Sequence, residues 1–238
     1  MNIALIIAGG SGARMQQDIP KQFLNVHDKP VIIYTLEAFE RHPQIDAIAV
    51  VCIEGWEPML RAYANQFGIT KLRHIAPGGH NGQSSIKSGL DVLKDAGYTD
   101  EDIVLIHDAI RPMLSGDIIS GCIGTAQRHG TAIVTIPCAE AMMTTDDRAV
   151  STGSYPRANL LRTQTPQGFR LGTIWDAHDT AAKMGIDNSV ASCTLMIEIG
   201  QQVHFCPGSE KNVKLTTPED IEVFKALLAA KKDEWMKA

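Results

Sequence analysis

Short apolar segments alternate with segments of helical spacing along most of the chain, and this alternation limits the possible folds more than any other feature. The predicted strands are residues 2–8, 45–52, 72–76, 103–106 and 132–136, and the predicted helices are residues 30–41, 57–67, 84–96 and 115–129. Such alternation is typical of a mainly parallel sheet with right-handed crossovers and helices on both faces. The sequence therefore predicts a three-layer α/β fold.

The alternation stops between residues 138 and 168, a polar stretch that contains Pro156 and Pro166. We predict a β-arm there, and because a small arm is unstable alone, we expect it to pack on another surface, most naturally a second subunit. From residue 173 the chain returns to a helix, a strand at 202–206 and a last helix at 218–232, which Thr217 caps. A length of 238 residues fits a single domain, 1–238, with the arm at about 138–168.

Composition excludes several classes of partner. The net charge is −5 and aromatic residues make up 5%, which argues against non-specific nucleic-acid binding and against base stacking. The longest apolar run, residues 47–53, is far shorter than the roughly 20 residues of a membrane helix, and the N-terminus lacks the features of a signal peptide. We therefore expect a cytoplasmic protein with neither a membrane nor a nucleic acid as its partner.

The cysteines and histidines lack the spacing of common metal and redox motifs. There are five cysteines, with no CxxC pair, so a zinc ribbon and a thioredoxin motif are excluded. The eight histidines show no HxxxH spacing, which excludes a zincin site. We predict that the cysteines are reduced, mostly buried thiols.

The first predicted strand leads into a glycine-rich loop, AGGSGARM at 8–15. Glycines let a backbone turn tightly and expose N–H groups to an anion. No Gly-Lys-Ser/Thr follows, so the loop is not a Walker A motif, and Met15 replaces the third glycine of the dinucleotide fingerprint. The fixed cations Arg14 and Lys21 favour a triphosphate ligand, although a plain turn and a solvated surface lysine remain the alternatives.

The carboxyl ends of parallel strands are where ligands bind in such sheets. Asp108 follows the strand at 103–106, a position suited to binding Mg²⁺ or a substrate hydroxyl. Alternatives are that Asp108 caps its own backbone, that Arg111 pairs with it, and that His107 is a structural hydrogen-bonding residue.

Further charged residues follow later segments. Lys214 comes after the last strand and would supply a third cation at the same edge, or be an exposed lysine. Arg157 and Thr165 lie in the arm and would bind a second phosphate, or be ordinary arm residues.

Together these pieces resemble the CTP-dependent cytidylyltransferases that act on polyol phosphates such as methylerythritol 4-phosphate and ribitol 5-phosphate. The matching segments are AGGSGARM (8–15), PKQF (20–23), GG with SIKSGL (78–90), HDAIRP (107–112), TPQGF (165–169) and NVKLTTPED (212–220). The resemblance implies a Rossmann-like nucleotidyltransferase fold, transfer of CMP from CTP to a polyol phosphate, Mg²⁺ bound mainly with CTP, and a homodimer formed through the arm.

The resemblance also implies a role for each matching residue. The CTP-binding residues would be Ala8, Gly9, Gly10, Gly12, Gly79 and Ser85, the last two at the cytosine. The cations that neutralise charge on the α-phosphorus and on pyrophosphate would be Arg14, Lys21 and Lys214. The acceptor would be bound by Asp108, Arg157 and Thr165, with Asp108 also a candidate metal ligand and Arg157 reaching into the neighbouring subunit's site.

The chain departs from the family pattern mainly on the acceptor side. Glu140 and Ala141 stand where the family has an Asp-Thr pair, residues 80–83 lack an arginine, and residues 185–189 keep only Asp187 of an acidic run. These departures leave the polyol open, with a slight preference for a glycan-type polyol, and do not change the reaction class.

The proposed reaction requires no general base, because a phosphate monoester, with a second pKa of about 6, is already an anion near neutral pH. The alternatives are a nucleotidyltransferase for another sugar or amino-alcohol phosphate, a dinucleotide-binding dehydrogenase and a catalytically silent regulator on the same fold. Met15 argues against the dehydrogenase. The retained charges argue against the regulator, namely those of Arg14, Lys21, Asp108 and Lys214.

Overall fold

The computed structural model describes residues 1–10 and 19–236, the last six of these by backbone alone. The strands are β1 (Asn2–Ala8), β2 (Asn25–Val26), β3 (Lys29–Pro30), β4 (Ala47–Cys52), β5 (Leu72–Pro77), β6 (Ile103–Asp108), β7 (Thr131–Pro137), β8 (Met142–Thr144), β9 (Gly153–Tyr155), β10 (Leu161–Arg170) and β11 (Phe205–Pro207). The helices are α1 (Val31–Glu40), α2 (Glu57–Gln66), α3 (Gly82–Asp95), α4 (Gly116–His129), α5 (Leu171–Lys183), α6 (Ser192–Glu198) and α7 (Pro218–Met236).

The central sheet has seven strands in the order β11-β7-β10-β6-β1-β4-β5. Strands β6, β1, β4 and β5 are parallel to one another, and β11 is parallel to β7. Strand β10 is antiparallel to both of its neighbours, β6 and β7. The prediction of a mainly parallel α/β sheet is confirmed, with one antiparallel strand inserted.

Two apolar layers cover the sheet. One face packs against α1, α2 and α4 through residues such as Phe39, Leu60 and Ile119. The other face packs against α3, α5 and α6 through residues such as Leu90 and Leu195. The alternation of side chains along each strand sends neighbouring residues to opposite layers, and the result is the three-layer arrangement that the sequence predicts.

Local sequence signals explain where several helices begin and end. Asn81 and Ser84 form a capping box at the start of α3. Ser115 caps α4, and Gly130 ends it in the left-handed region, at φ 80°. At α7 the backbone N–H of Asp220 donates to the Thr217 hydroxyl at 3.4 Å, which confirms the predicted cap.

The predicted arm is shorter in the structure than 138–168. Strands β8 and β9 pair as a separate two-stranded ribbon, whereas β10 belongs to the central sheet. The sequence obscures β10 because two of its buried residues are glutamines. The Gln164 amide donates to the Ser209 carbonyl at 2.9 Å, and the Gln167 side-chain oxygen accepts from the Cys193 N–H at 2.9 Å. Internal hydrogen bonds therefore replace the apolar side chains by which a buried strand is usually recognised.

All five cysteines are buried free thiols, as the sequence predicts. Among the described residues, no helix combines the length and apolar character needed to cross a bilayer.

Candidate active site

A cleft of about 550 Å³ opens at the carboxyl edge of the sheet, beyond the ends of the adjacent strands β1 and β6. We call it the glycine cleft; its lining includes Ala8, Gly9, Gly10, Lys21, Gly79, Ser85, Asp108 and Lys214. Its size lies within the range typical of small-molecule sites, and its position is where α/β sheets bind ligands. The structure thus brings together eight of the predicted site residues.

The described start of the glycine-rich loop is held by Gln22, a residue to which the sequence analysis assigns no role. The buried Gln22 amide donates to the carbonyl oxygens of Ala8, at 2.7 Å, and Gly10, at 3.1 Å. Lys21 precedes Gln22 and lines the same cleft. The PKQF segment therefore fixes a cation beside the loop, although its glutamine carries no recognisable sequence signal of that contact.

Close backbone approach explains why Gly9 and Gly79 are glycines. A Cβ on Gly9 would lie 3.3 Å from the Gly78 Cα, and one on Gly79 would lie 2.6 Å from the Ser84 carbonyl carbon. The Gly79 N–H donates to the Ser85 hydroxyl oxygen at 3.0 Å, and that hydroxyl donates to the Asn81 carbonyl at 2.8 Å. Ser85 therefore shapes the cleft by holding the Gly79 turn.

Asp108 lies between two cations. Its carboxylate accepts from the Arg111 guanidinium at 3.0 Å and from the Lys214 ammonium at 3.1 Å. Burial alone would raise the pKa of Asp108, but attraction to Lys214 and Arg111 outweighs burial, so the pKa lies below its usual value. The pairing of Arg111 with Asp108, left open by the sequence, is confirmed, and Asp108 remains ionised at neutral pH.

A bulge in β10 brings Thr165 to the end of β6. The pairing of β10 with β7 shifts register between Thr163 and Gln167. The Asp108 N–H donates to the Thr165 hydroxyl oxygen at 3.1 Å. Thr165 is thereby joined to Asp108, as its predicted place in the site requires.

The buried His107 ring fixes the orientation of that hydroxyl. Burial lowers the pKa of His107 to about 4, so the ring is neutral. Its Nε2 faces the Arg111 carbonyl at 3.2 Å and must donate, because a carbonyl only accepts. The ring's Nδ1 therefore accepts from the Thr165 hydroxyl, 3.0 Å away. His107 is a structural hydrogen-bonding residue, and the Thr165 hydroxyl proton points at the ring.

A second cavity of about 330 Å³, the side cavity, adjoins the glycine cleft. The residues that line both spaces include Asp108 and Lys214. The residues that line the side cavity alone include Gln83, Arg111, Thr165 and Ser192. The two spaces therefore meet at the Asp108–Lys214 ion pair, which lines both.

Three of the predicted site residues are not among the described residues that line the glycine cleft or the side cavity. Arg157 lines neither space of its own chain; its exposed guanidinium donates to the Ala139 carbonyl at 3.1 Å. Gly12 and Arg14 lie outside the described residues.

The donor set indicates what kind of metal this cleft could hold. No group of three or more His, Cys, Asp or Glu side chains that could hold a metal ion occurs within residues 1–10 and 19–230. Among the described residues lining the glycine cleft, Asp108 supplies the carboxylate. This set does not form a protein cage, but it fits Mg²⁺ held mainly by substrate phosphates.

Glycines at the end of β1, nearby lysines and a cleft at the carboxyl edge of the sheet are typical of nucleotide-binding proteins of the Rossmann-like class. A family model described as IspD, 2-C-methyl-D-erythritol 4-phosphate cytidylyltransferase, matches residues 2–230. The chain belongs to this cytidylyltransferase family, which confirms the resemblance seen in the sequence.

Individual relatives cover almost the whole chain. A ribitol-5-phosphate cytidylyltransferase from Lacticaseibacillus paracasei is 39% identical, with 97% of this chain and 99% of the relative aligned. A 2-C-methyl-D-erythritol 4-phosphate cytidylyltransferase from Geotalea uraniireducens is 38% identical over 97% and 98% of the two chains. The crystal structure of the latter enzyme from Francisella tularensis superposes with a TM-score of 0.76 at 26% identity, covering 94% of this chain and 98% of that one.

Proposed function

We propose that this protein transfers CMP from CTP to a polyol phosphate and releases pyrophosphate. The observation that carries the proposal is the meeting of two spaces at Asp108 and Lys214. One is lined by glycines and lysines, and the other by polar side chains, Arg111 and isoleucines. Such an arrangement lets a triphosphate and a second anion approach each other, as the names of the relatives suggest.

The reaction is a displacement at phosphorus. A non-bridging oxygen of the acceptor phosphate attacks the α-phosphorus of CTP and forms a new P–O bond. The bond from the α-phosphorus to the bridging oxygen of the β-phosphate breaks, and pyrophosphate leaves with that electron pair. The acceptor oxygen is already anionic, so the protein's task is to position the groups and to stabilise charge.

The cations oppose the repulsion between the two substrates. About four negative charges on CTP and about two on the acceptor must share one edge of the sheet. Lys21 lies on the CTP side, and Lys214 lies between the two spaces. We assign Arg14 to the same task on the basis of the sequence motif.

We propose that Asp108, together with the CTP phosphates, would hold Mg²⁺ in the glycine cleft. When bound there, the ion would neutralise part of the triphosphate charge. Asp108 also holds Lys214 and Arg111 in place through its ion pairs.

We propose a homodimer in which Arg157 serves the partner subunit's site. The arm exposes several large apolar side chains, namely Met142, Met143, Val150 and Tyr155. A segment with several exposed large apolar side chains suits burial against a partner. Arg157 lies close to these side chains in sequence and lines neither the glycine cleft nor the side cavity of its own chain. The buried free thiols suit a reducing compartment, so we place the protein in the cytoplasm.

Product identification tests the reaction. The purified protein is incubated with Mg²⁺, each of the four nucleoside triphosphates and either ribitol 5-phosphate or methylerythritol 4-phosphate, and pyrophosphate and product masses are measured. We expect a CDP-polyol with CTP. Failure to release pyrophosphate with either acceptor, or a clear preference for UTP, GTP or ATP, would refute the proposal.

Subunit mixing tests the dimer. We expect Arg157→Ala and Lys21→Ala proteins each to be nearly inactive, and an equal mixture of the two is allowed to exchange subunits. If Arg157 acts on the partner, half of the molecules are heterodimers with one intact site, so about a quarter of wild-type activity returns. If exchange is demonstrated and activity does not return, Arg157 serves its own subunit or neither.

A further inference from the structure

Two of the side chains that line the side cavity each carry a buried polar atom without a hydrogen-bond partner among the described residues: the Gln83 side-chain oxygen and the Ser192 hydroxyl. Gln83 is 5% exposed and Ser192 is 2% exposed, and both line the cavity. Buried polar side chains are nearly always hydrogen-bonded, so an unpaired one in a cavity wall points to a ligand.

The surroundings fix what this ligand must offer. The Gln83 amide nitrogen donates to the Ser189 carbonyl at 3.0 Å, which turns the side-chain oxygen of Gln83 away from that carbonyl. An amide oxygen can only accept a hydrogen bond, whereas a serine hydroxyl can donate or accept. The ligand must therefore bring an O–H or N–H donor to Gln83 and a second polar group to Ser192.

The other walls of the side cavity restrict the ligand further. Ile7, Ile86 and Ile106 line it, and Arg111 and Lys214 lie at the side that it shares with Asp108. Cations at one end, apolar walls and two unpaired polar atoms suit a small molecule with an anionic end and a chain of hydroxyls. A polyol phosphate has this chemistry.

We infer that Gln83 and Ser192 determine acceptor specificity by binding hydroxyls of the polyol chain. This inference rests on the proposed function. Ribitol 5-phosphate carries one more carbon and one more hydroxyl than methylerythritol 4-phosphate along its main chain, and the latter carries a methyl branch instead. Because a site built to bind a hydroxyl rejects an analogue that lacks it, the side cavity selects the linear, fully hydroxylated polyol.

Neighbouring serines provide a matched pair of variants. Ser192 is the first residue of α6 and its hydroxyl is unpaired, whereas the Ser189 hydroxyl donates to Glu198 and does not line the cavity. Both are buried, and both become alanine with the loss of one oxygen. Ser192→Ala should raise the KM for ribitol 5-phosphate about 10-fold at saturating CTP, with kcat and the KM for CTP little changed. Ser189→Ala should leave the KM for ribitol 5-phosphate within about two-fold of wild type.

Gln83→Met tests the second contact, since methionine keeps the chain length without the oxygen. We expect a rise of similar size in the KM for ribitol 5-phosphate, with the CTP KM as the internal measure of correct folding. Single-deoxy analogues of ribitol 5-phosphate complete the test. For the analogue that lacks the hydroxyl bound by Ser192, wild type and Ser192→Ala should have the same KM, because the contact between these two hydroxyls is already absent.

The possible outcomes distinguish a failure of this inference from a failure of the proposed CMP transfer. If wild-type protein makes CDP-ribitol but both variants keep the wild-type KM for ribitol 5-phosphate, a bound water occupies these atoms and the inference is wrong. It is also wrong if wild type prefers methylerythritol 4-phosphate, or if Ser192→Ala discriminates between the two acceptors as strongly as wild type does. If wild type transfers CMP to neither acceptor, the proposed function fails and the inference fails with it.

Discussion

The glycine cleft and the side cavity share Asp108 and Lys214 but are built from different materials. The lining of the glycine cleft includes Gly9, Gly10 and Gly79, which offer only backbone, together with Lys21 and Lys214. The side cavity is walled by side chains from segments far apart in sequence, such as Gln83 and Ser192.

This difference corresponds to what each space must recognise under the proposed function. A triphosphate is the same in every reaction of this class, and backbone N–H groups with fixed cations bind it whatever side chains surround them. An acceptor differs from one enzyme to another, and side chains, which also differ between enzymes, can distinguish one pattern of hydroxyls from another. The Asp108–Lys214 pair should therefore separate the residues that bind the triphosphate from the residues that select the acceptor.

Removal of Lys21 should give the largest effect. In Lys21→Ala we expect kcat to fall about 1,000-fold, because a cation placed beside the reacting phosphates acts mainly on the charge of the transition state. The KM for the acceptor should change little, since Lys21 lines the glycine cleft and not the side cavity. Steady-state kinetics with each substrate varied in turn provides the measurement.

Lys225→Ala is a suitable control for this variant. Lys225 is an exposed lysine that pairs with Glu222 on α7 and lines neither space. Its kcat should equal that of wild type, and both variants should unfold at the wild-type temperature. A Lys21→Ala protein with a wild-type turnover number would remove Lys21 from the mechanism.

Lys214→Ala should have the second largest effect, and this effect should extend to both substrates. The Lys214 ammonium lies 3.1 Å from Asp108 and lines both spaces. We expect kcat/KM to fall about 100-fold for CTP and for the acceptor alike. A fall in kcat/KM for only one of the two substrates would show that Lys214 does not serve both spaces.

The same difference explains what can be predicted from sequence. The glycine cleft is made by short contiguous motifs, so AGGSGARM, PKQF and HDAIRP, taken in this order with the other matching segments, are enough to predict Gly9, Lys21 and Asp108 as site residues. Ser192 and Gln83 become neighbours only through the fold, because they come from separate helices. Neither has a motif that indicates a buried, unpaired oxygen.

Strand β10 and Gln22 show the same limit elsewhere. Periodicity locates the parallel strands because their apolar runs are continuous. It misses β10, whose buried Gln164 and Gln167 make it polar. In the sequence Gln22 is simply the neighbour of a lysine, whereas its hydrogen bonds to Ala8 and Gly10 link segments whose contact is not encoded locally.

Gly79→Ala tests the claim that backbone shape builds the glycine cleft. The added Cβ would lie 2.6 Å from the Ser84 carbonyl carbon, so the turn must shift. We expect a loss of about 2 kcal/mol in the free energy of unfolding and a raised KM for CTP, with the acceptor KM less affected. Chemical denaturation and kinetics measure the two effects.

Gly121→Ala in α4 is the matched control. A Cβ there meets nothing within 4 Å, and alanine favours a helix interior, so a small gain of about 0.5 kcal/mol is expected. Equal stability changes in the two alanine variants would show that the Gly79 turn tolerates a side chain, and the backbone account of the cleft would fail.

The smallest effect should come from His107, which lines the side cavity. This effect is a dependence of the free energy of unfolding on pH. Its pKa is lowered by burial from 6.5 to about 4, so between these values the unfolded chain binds more protons than the folded one. Stability is therefore fully present above pH 6.5 and falls as the pH drops towards 4, with a slope from this ring of at most about 1.4 kcal/mol per pH unit. His107→Asn keeps an acceptor for the Thr165 hydroxyl but cannot titrate, so its unfolding free energy should vary less with pH in this range. Above pH 7 the two proteins should show parallel curves, and equal slopes between pH 6.5 and 4 would contradict the assignment of a neutral buried ring.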